Sequence, residues 1–174
     1  MLNSIHISDI SIIFTSMKQN LSISRLENVI FYVMERTIKS YRQFAQRNIN
    51  KVNSDITIDQ WLVLKTIYDN PNISQRAIAK NVFKDHASIT RMIDLLVQKG
   101  FLERLPHPED RRRFGLVLTP LGIMNKQNLT PVILRNRGMA LEGLSSEEIS
   151  TLQNLLEKIT MNCTHTIHQK AKQS

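Results

Sequence analysis

Pro106-His107-Pro108-Glu109-Asp110-Arg111-Arg112-Arg113, met after Ile73-Ser74-Gln75-Arg76-Ala77-Ile78-Ala79 and His86-Ala87-Ser88-Ile89-Thr90-Arg91-Met92-Ile93-Asp94, is the stretch that decides the fold. Between Thr57 and Gly122 the pattern runs helix, helix, helix, then two strands around the Pro106–Arg113 tip. Three adjacent arginines on an exposed turn, just beyond a short helix pair, suit a device that holds a polyanion. Helix, turn, helix and then a basic hairpin is the order of elements in a winged helix-turn-helix.

The composition agrees. With 174 residues, the chain has room for a DNA-binding lobe and an assembly lobe. Glycine and proline number only five each, which favours a mainly helical protein. The formal net charge is +8, and between Ser74 and Lys126 ten Lys/Arg stand against five Asp/Glu. The basic excess therefore sits mostly with the winged segment, although an ordinary solvated surface is the plainer account of charge alone. The single cysteine, Cys163, allows no intrachain disulfide and fits a reducing, cytoplasmic setting. No apolar run reaches the length of a membrane span, and Ile10-Ser11-Ile12-Ile13-Phe14 lacks the basic start of a signal peptide.

Along the chain, residues 1–23 form an extension that fits either a short helix against a second subunit or a frayed tail. Ser24-Arg25-Leu26-Glu27 has capping-box spacing and predicts a helix running to about residues 47–50. Its apolar stripe is too broad for one neighbour to cover, so it is predicted to pack on a second chain. Thr57-Ile58-Asp59-Gln60 repeats the box and opens a helix apolar around nearly its whole circumference. Ser74 caps the next helix, Asn81 to Asp85 is the turn, Asp85 caps the following helix and Gly100 ends it. Phe101–Leu105 and Arg112–Leu118 read as the wing strands. Thr119-Pro120 restarts helix, Pro131 is expected to kink it, and Ser145-Ser146-Glu147-Glu148 opens the last helix.

The helix from Asp85 to Lys99 has a core face at Ile89, Met92, Ile93 and Leu96, and a polar face at Ala87, Arg91, Asp94 and Gln98. Small residues at its start permit close approach to base edges, and Arg91 can offer a fork to guanine. Ser88 and Thr90 can bond bases or phosphates, and His86 lies where helix-start amides suit a phosphate. Ser74, Gln75, Arg76 and Lys84 complete the candidate contacts of the helix pair, and Arg111, Arg112 and Arg113 those of the wing. Asp110 and Arg112, two apart in a strand, can pair and stiffen the tip. A solvated amphipathic helix and a solubilising loop are the bland alternatives.

The quoted motifs, with Gly100-Phe101-Leu102-Glu103-Arg104 and the run Asp110-Arg111-Arg112-Arg113-Phe114-Gly115-Leu116-Val117-Leu118-Thr119-Pro120-Leu121-Gly122, resemble the MarR (multiple antibiotic resistance regulator) family of bacterial transcription regulators. The last run is similar to that family's D-x-R…L-T-x-x-G signature. Glu142-Gly143-Leu144-Ser145-Ser146-Glu147-Glu148 is similar to its junction before the final helix. The resemblance implies a mainly α protein in which a winged helix-turn-helix lobe (51–122) is inserted between dimerisation helices at 24–50 and 123–170, with a tail at 171–174. It implies a homodimer on a pseudo-palindromic double-stranded operator, usually as a repressor, with Asp110 and Arg112 holding the wing.

A small aromatic or phenolic effector is the family's common release signal. Tyr41, Phe44, Trp61 and Tyr68 are the lining candidates, with plain core packing as their alternative. A winged-helix protein-interaction module, or a regulator without a ligand, is the rival function. No glycine-rich phosphate loop, H-E-x-x-H or nucleophile elbow suggests an enzyme. Cys163, His165 and His168 are too poorly convergent for zinc, so neither a metal nor a cofactor is expected.

Overall fold

The computed structural model describes residues 26–52, 55–107 and 110–170, apart from the side chains of 107, 110–113 and 165–170. The N-terminal extension, the Ser24 cap and the 171–174 tail fall outside these. Among the described residues, a 3-10 turn at Leu26–Asn28 precedes α1 (Ile30–Asn50), α2 (Ile58–Asp69), α3 (Gln75–Asn81), α4 (His86–Gln98), β1 (Leu102–His107), β2 (Asp110–Leu118), α5 (Pro120–Ala140) and α6 (Ser146–Lys170). The fold is the mainly helical one expected, with its hairpin between helices. The chain divides into two compact units at Thr130/Pro131.

Local chemistry explains most helix starts. Thr57 closes a full capping box: its hydroxyl accepts from the Gln60 N–H at 3.2 Å, while the Gln60 side chain accepts from the Thr57 N–H at 3.0 Å. Ser145 and Glu148 repeat the arrangement before α6, at 3.2 and 2.8 Å. The first helix differs from expectation. The 3-10 turn comes first, and α1 begins after Val29, which has no side-chain cap. Pro131 lies inside α5 and does not end it.

In the first unit α2 is central, touching α1, α3, α4 and β2. Contact on several sides is why its apolar residues encircle it: Trp61, Val63, Leu64 and Ile67 are all buried. Ile78 and Ala79 of α3, Ile89, Ile93 and Leu96 of α4, and Phe101, Leu102 and Leu116 near the sheet join that core. Fully burying one such side chain contributes about 1.5–3 kcal/mol, so this cluster fixes the helix pair and the wing base together. In the second unit, α6 keeps Leu152, Leu155 and Met161 exposed.

Candidate nucleic-acid interface

The start of α4 is built by Asp85. Its carboxylate accepts from the Ser88 N–H at 2.8 Å and from the Ser88 hydroxyl at 2.6 Å. These two bonds, the hydroxyl first, hold the Asp85 carboxyl below the ordinary carboxylate value. At the helix start the chain's own carboxylate thus takes the Ser88 N–H, one of the amides such a start offers an anion, and the His86 imidazole beside it is exposed. Thr90 donates its hydroxyl to the His86 carbonyl oxygen at 3.0 Å. With both protons committed, Ser88 and Thr90 present acceptor lone pairs outward.

A pH dependence follows. Because the folded value is depressed, Asp85 contributes stability that is fully present above the unfolded carboxylate value of about 3.9. It is lost as pH falls through the lower folded value. Urea unfolding of Asp85→Asn across the acid range should lack this component while keeping a capping side chain. Parallel acid profiles for wild type and variant would refute the assignment.

The polar face of α4 emerges as the periodicity requires: Ala87, Arg91, Asp94 and Gln98 are all exposed, opposite the buried Ile89, Ile93 and Leu96. Met92 is half-buried. Asp94 pairs with Arg104 of β1, which ties the base of the wing to α4 and neutralises a charge that would repel phosphate. Arg91 is exposed and has no carboxylate partner among the described residues.

The wing strands reach further towards the tip than expected. Leu102 to Pro106 pair in register with Leu118 to Phe114, but the next pair is His107 with Asp110. Arg111, Arg112 and Arg113 therefore occupy a bulge of β2 between two successive pairing steps. The expected Asp110–Arg112 pair concerns side chains outside the described residues.

In the helix pair, Ser74 accepts from the Ala77 N–H at 3.2 Å, Gln75 is half-buried and Arg76 is exposed. Lys84 lies 3.1 Å from Asp59 of α2, which also holds Arg42 of α1. A phosphate contact by Lys84 would have to share its ammonium with that carboxylate.

The four aromatic candidates are carried by two helices, Tyr41 and Phe44 on α1 and Trp61 and Tyr68 on α2. Tyr41 and Phe44 are on α1, which contributes neither to the cavity nor to the Trp61 contact described next. Trp61 is only 3% exposed and donates its ring N–H to the Lys126 carbonyl oxygen at 3.4 Å. The Lys126 ammonium stands 3.5 Å over the exposed Tyr68 ring. A cavity of about 420 Å³ lies elsewhere, lined by Asp55, Lys99, Phe101, Leu121 and Asn125.

Sequence reasoning missed a latch behind the interface. Gly100, with φ +71°, ends α4 in a Schellman motif: the Phe101 N–H reaches the Leu96 carbonyl oxygen and the Gly100 N–H that of Val97, both at 2.9 Å. Thr119 donates its hydroxyl to the Gly100 carbonyl oxygen at 2.6 Å and accepts from the Gly122 N–H at 3.0 Å. One threonine thus ties the end of α4 to the start of α5, across the base of the wing. The T-x-x-G spacing was the available signal.

Known proteins place this geometry. The profile of the MarR family matches residues 56–114, from the start of α2 into β2. A protein assigned as the transcriptional regulatory protein for the hcr operon of Thauera aromatica is 32% identical over 129 residues, 74% of this chain and 76% of that one. The multiple antibiotic resistance protein MarR of Escherichia coli is 33% identical over 127 residues, covering 71% of this chain and 88% of its own. A crystal structure of a mutant E. coli MarR complexed with operator DNA superposes with a TM-score of 0.67 at 26% identity, over 73% of this chain and 90% of that one.

Proposed function

This chain belongs to the MarR family of winged helix-turn-helix transcription regulators, and from that premise we propose that it is a homodimeric repressor of a pseudo-palindromic operator. DNA binding and transcriptional regulation, without enzymatic activity, are what the family does. The observation that carries the finer reading is the unpartnered Arg91 on the polar face of α4, set beside a wing whose bulge holds three arginines. α4 would enter the major groove with Arg91 towards base edges, and the wing would track the neighbouring minor groove. The operator complex of the E. coli relative supports this use of the fold.

Dimerisation is supported by apolar surface that one chain leaves uncovered. α1 exposes Ile30, Phe31, Tyr32 and Ile38, and α6 exposes Leu152, Leu155 and Met161. Two-fold symmetry then sets half-sites about one helical turn apart, roughly 10 base pairs. An effector that prefers the geometry unable to bind DNA would release the operator by population shift. A regulator without a small-molecule ligand is the second reading. The burial of Trp61 and the covering of Tyr68 by Lys126 favour it.

Fluorescence anisotropy against a labelled duplex, titrated with salt, tests the core of the reading. Affinity should fall steeply with salt, since each neutralised phosphate adds about 0.9 to the slope of log affinity against log salt. Sedimentation should return a dimer. A monomer indifferent to duplex at low ionic strength would remove the reading. An aromatic-acid panel separates the two versions: release of the duplex by one member supports effector control, and no effect supports the ligand-free regulator.

A further inference from the structure

The turn between α3 and α4 holds a residue that the function described so far does not use. Phe83 is 93% exposed, and its φ is +55°. It stands just past the C-cap of α3. The Lys84 N–H reaches the Ala79 carbonyl oxygen at 3.0 Å, and the Phe83 N–H that of Lys80 at 3.3 Å. This is the same Schellman bonding that ends α4, where the equivalent position is Gly100. The same backbone device is thus occupied by glycine once and by phenylalanine once. A bulky side chain is strained in the left-handed region, and an aromatic ring in water recovers nothing in the free protein. Such an outlier points outward, to something the ring meets on binding.

The surroundings indicate the partner. Arg76 and Lys80, four apart in α3, share one face of that helix, and Phe83 follows Lys80 by three positions in the turn. Both cations are exposed, and neither pairs with a carboxylate among the described residues. They are about 6 Å apart along the helix axis, a reach that spans neighbouring phosphates of one strand. Negative charge lies nearby at Asp59, already held by Arg42 and Lys84, and at the capping Asp85. A protein partner would want an apolar cluster, but Lys80, Asn81 and Lys84 surround the ring in sequence. A deoxyribose next to a phosphate matches an exposed ring next to a cation.

We propose that Phe83, with Arg76 and Lys80, grips the sugar-phosphate backbone at the edge of the groove that α4 enters: the cations take successive phosphates and the ring, beyond Lys80, packs on the adjoining sugar. This rests on the DNA-binding function and adds a contact that reads no base. It makes the α3–α4 turn a fixed point from which α4 is aimed.

The test uses the full chain and a labelled random-sequence duplex of about 30 base pairs, long enough for two half-sites. Phe83→Gly and Phe83→Asn both suit a positive φ, so each should be at least as stable to urea as wild type. Each should nevertheless bind the duplex about tenfold more weakly with an unchanged salt slope, because no charge is removed. Lys80→Ala should instead lower that slope by about one. Wild-type affinity in both Phe83 variants overturns the proposal. So does loss of affinity accompanied by dissociation of the dimer, which would place the ring in a protein contact. Failure of the wild type to bind any duplex sinks the regulator reading itself and is distinguishable from both.

Discussion

Gly122→Ala should destabilise the chain by about 3 kcal/mol, near the upper end of the usual cost of overpacking. A Cβ on Gly122 would stand 2.0 Å from the Phe101 carbonyl oxygen and 2.9 Å from its carbonyl carbon. Both are backbone atoms, so no side chain can swing away. Phe101 is also fixed at every point: its N–H is bonded to Leu96, its carbonyl oxygen accepts from the Thr119 N–H at 3.2 Å, and its ring is buried. Relief therefore requires α5 to move off the end of α4, which breaks the Thr119 bonds to Gly100 and Gly122. Gly138 provides the control. Nothing lies within 4 Å of a Cβ there, and it sits inside α5, so Gly138→Ala should be neutral or stabilise by about 0.5–1 kcal/mol. Urea unfolding of the two variants decides the matter. If Gly122→Ala lost less than about 0.5 kcal/mol, the size of an ordinary surface effect, the close approach would not be a constraint. The same junction carries the base of the wing, so operator affinity should fall with stability in Gly122→Ala and not in Gly138→Ala.

The signature containing Gly122 was legible; its reason was not. Periodicity and caps are local properties, and they placed Thr57, Ser74, Asp85, Gly100 and Ser145 where the structure has them. Contacts between distant segments leave no such trace. Nothing in the sequence around Lys84 names Asp59, and nothing around Asp94 names Arg104, because a helical period reports which face is buried but not what stands opposite an exposed charge. The helix start at Asp85 illustrates the same limit. The cap was identified, but its detail, that the carboxylate takes both the Ser88 N–H and the Ser88 hydroxyl, depends on side-chain geometry. The wing strands were read short at Pro106, His107, Asp110 and Arg111 because prolines and charges at a tip look like a loop. The ladder instead continues past the three arginines by bulging. Phe83 passed as a turn residue because a positive φ is a backbone property, and an aromatic gives no warning of one.

The second large effect is expected at Arg91. Arg91→Ala should weaken binding to a duplex selected by the wild-type protein by about 5- to 150-fold, the range of about 1–3 kcal/mol carried by one bidentate base contact. Its affinity for a random-sequence duplex should fall far less, so the ratio between the two collapses. The contrast comes from placement. Ala87 stands one turn earlier on the same face and leaves clearance for the backbone of α4 to approach base edges. Asp94, one turn later, is committed to Arg104, which leaves Arg91 as the cation on this face able to project. Arg91→Lys should not restore the ratio, since an ammonium lacks the planar fork that matches guanine. Replacing Arg111, Arg112 or Arg113 should act in the opposite sense, lowering affinity for selected and random duplexes alike and reducing the salt slope by about one per arginine that meets phosphate. Gln98→Ala, at the far end of the same face, should change neither measure by more than about twofold, the margin of a surface substitution. Equal losses on both duplexes in Arg91→Ala would move this residue from base reading to phosphate binding. Sequence discrimination would then have to come from the wing and from the shape of the groove it enters.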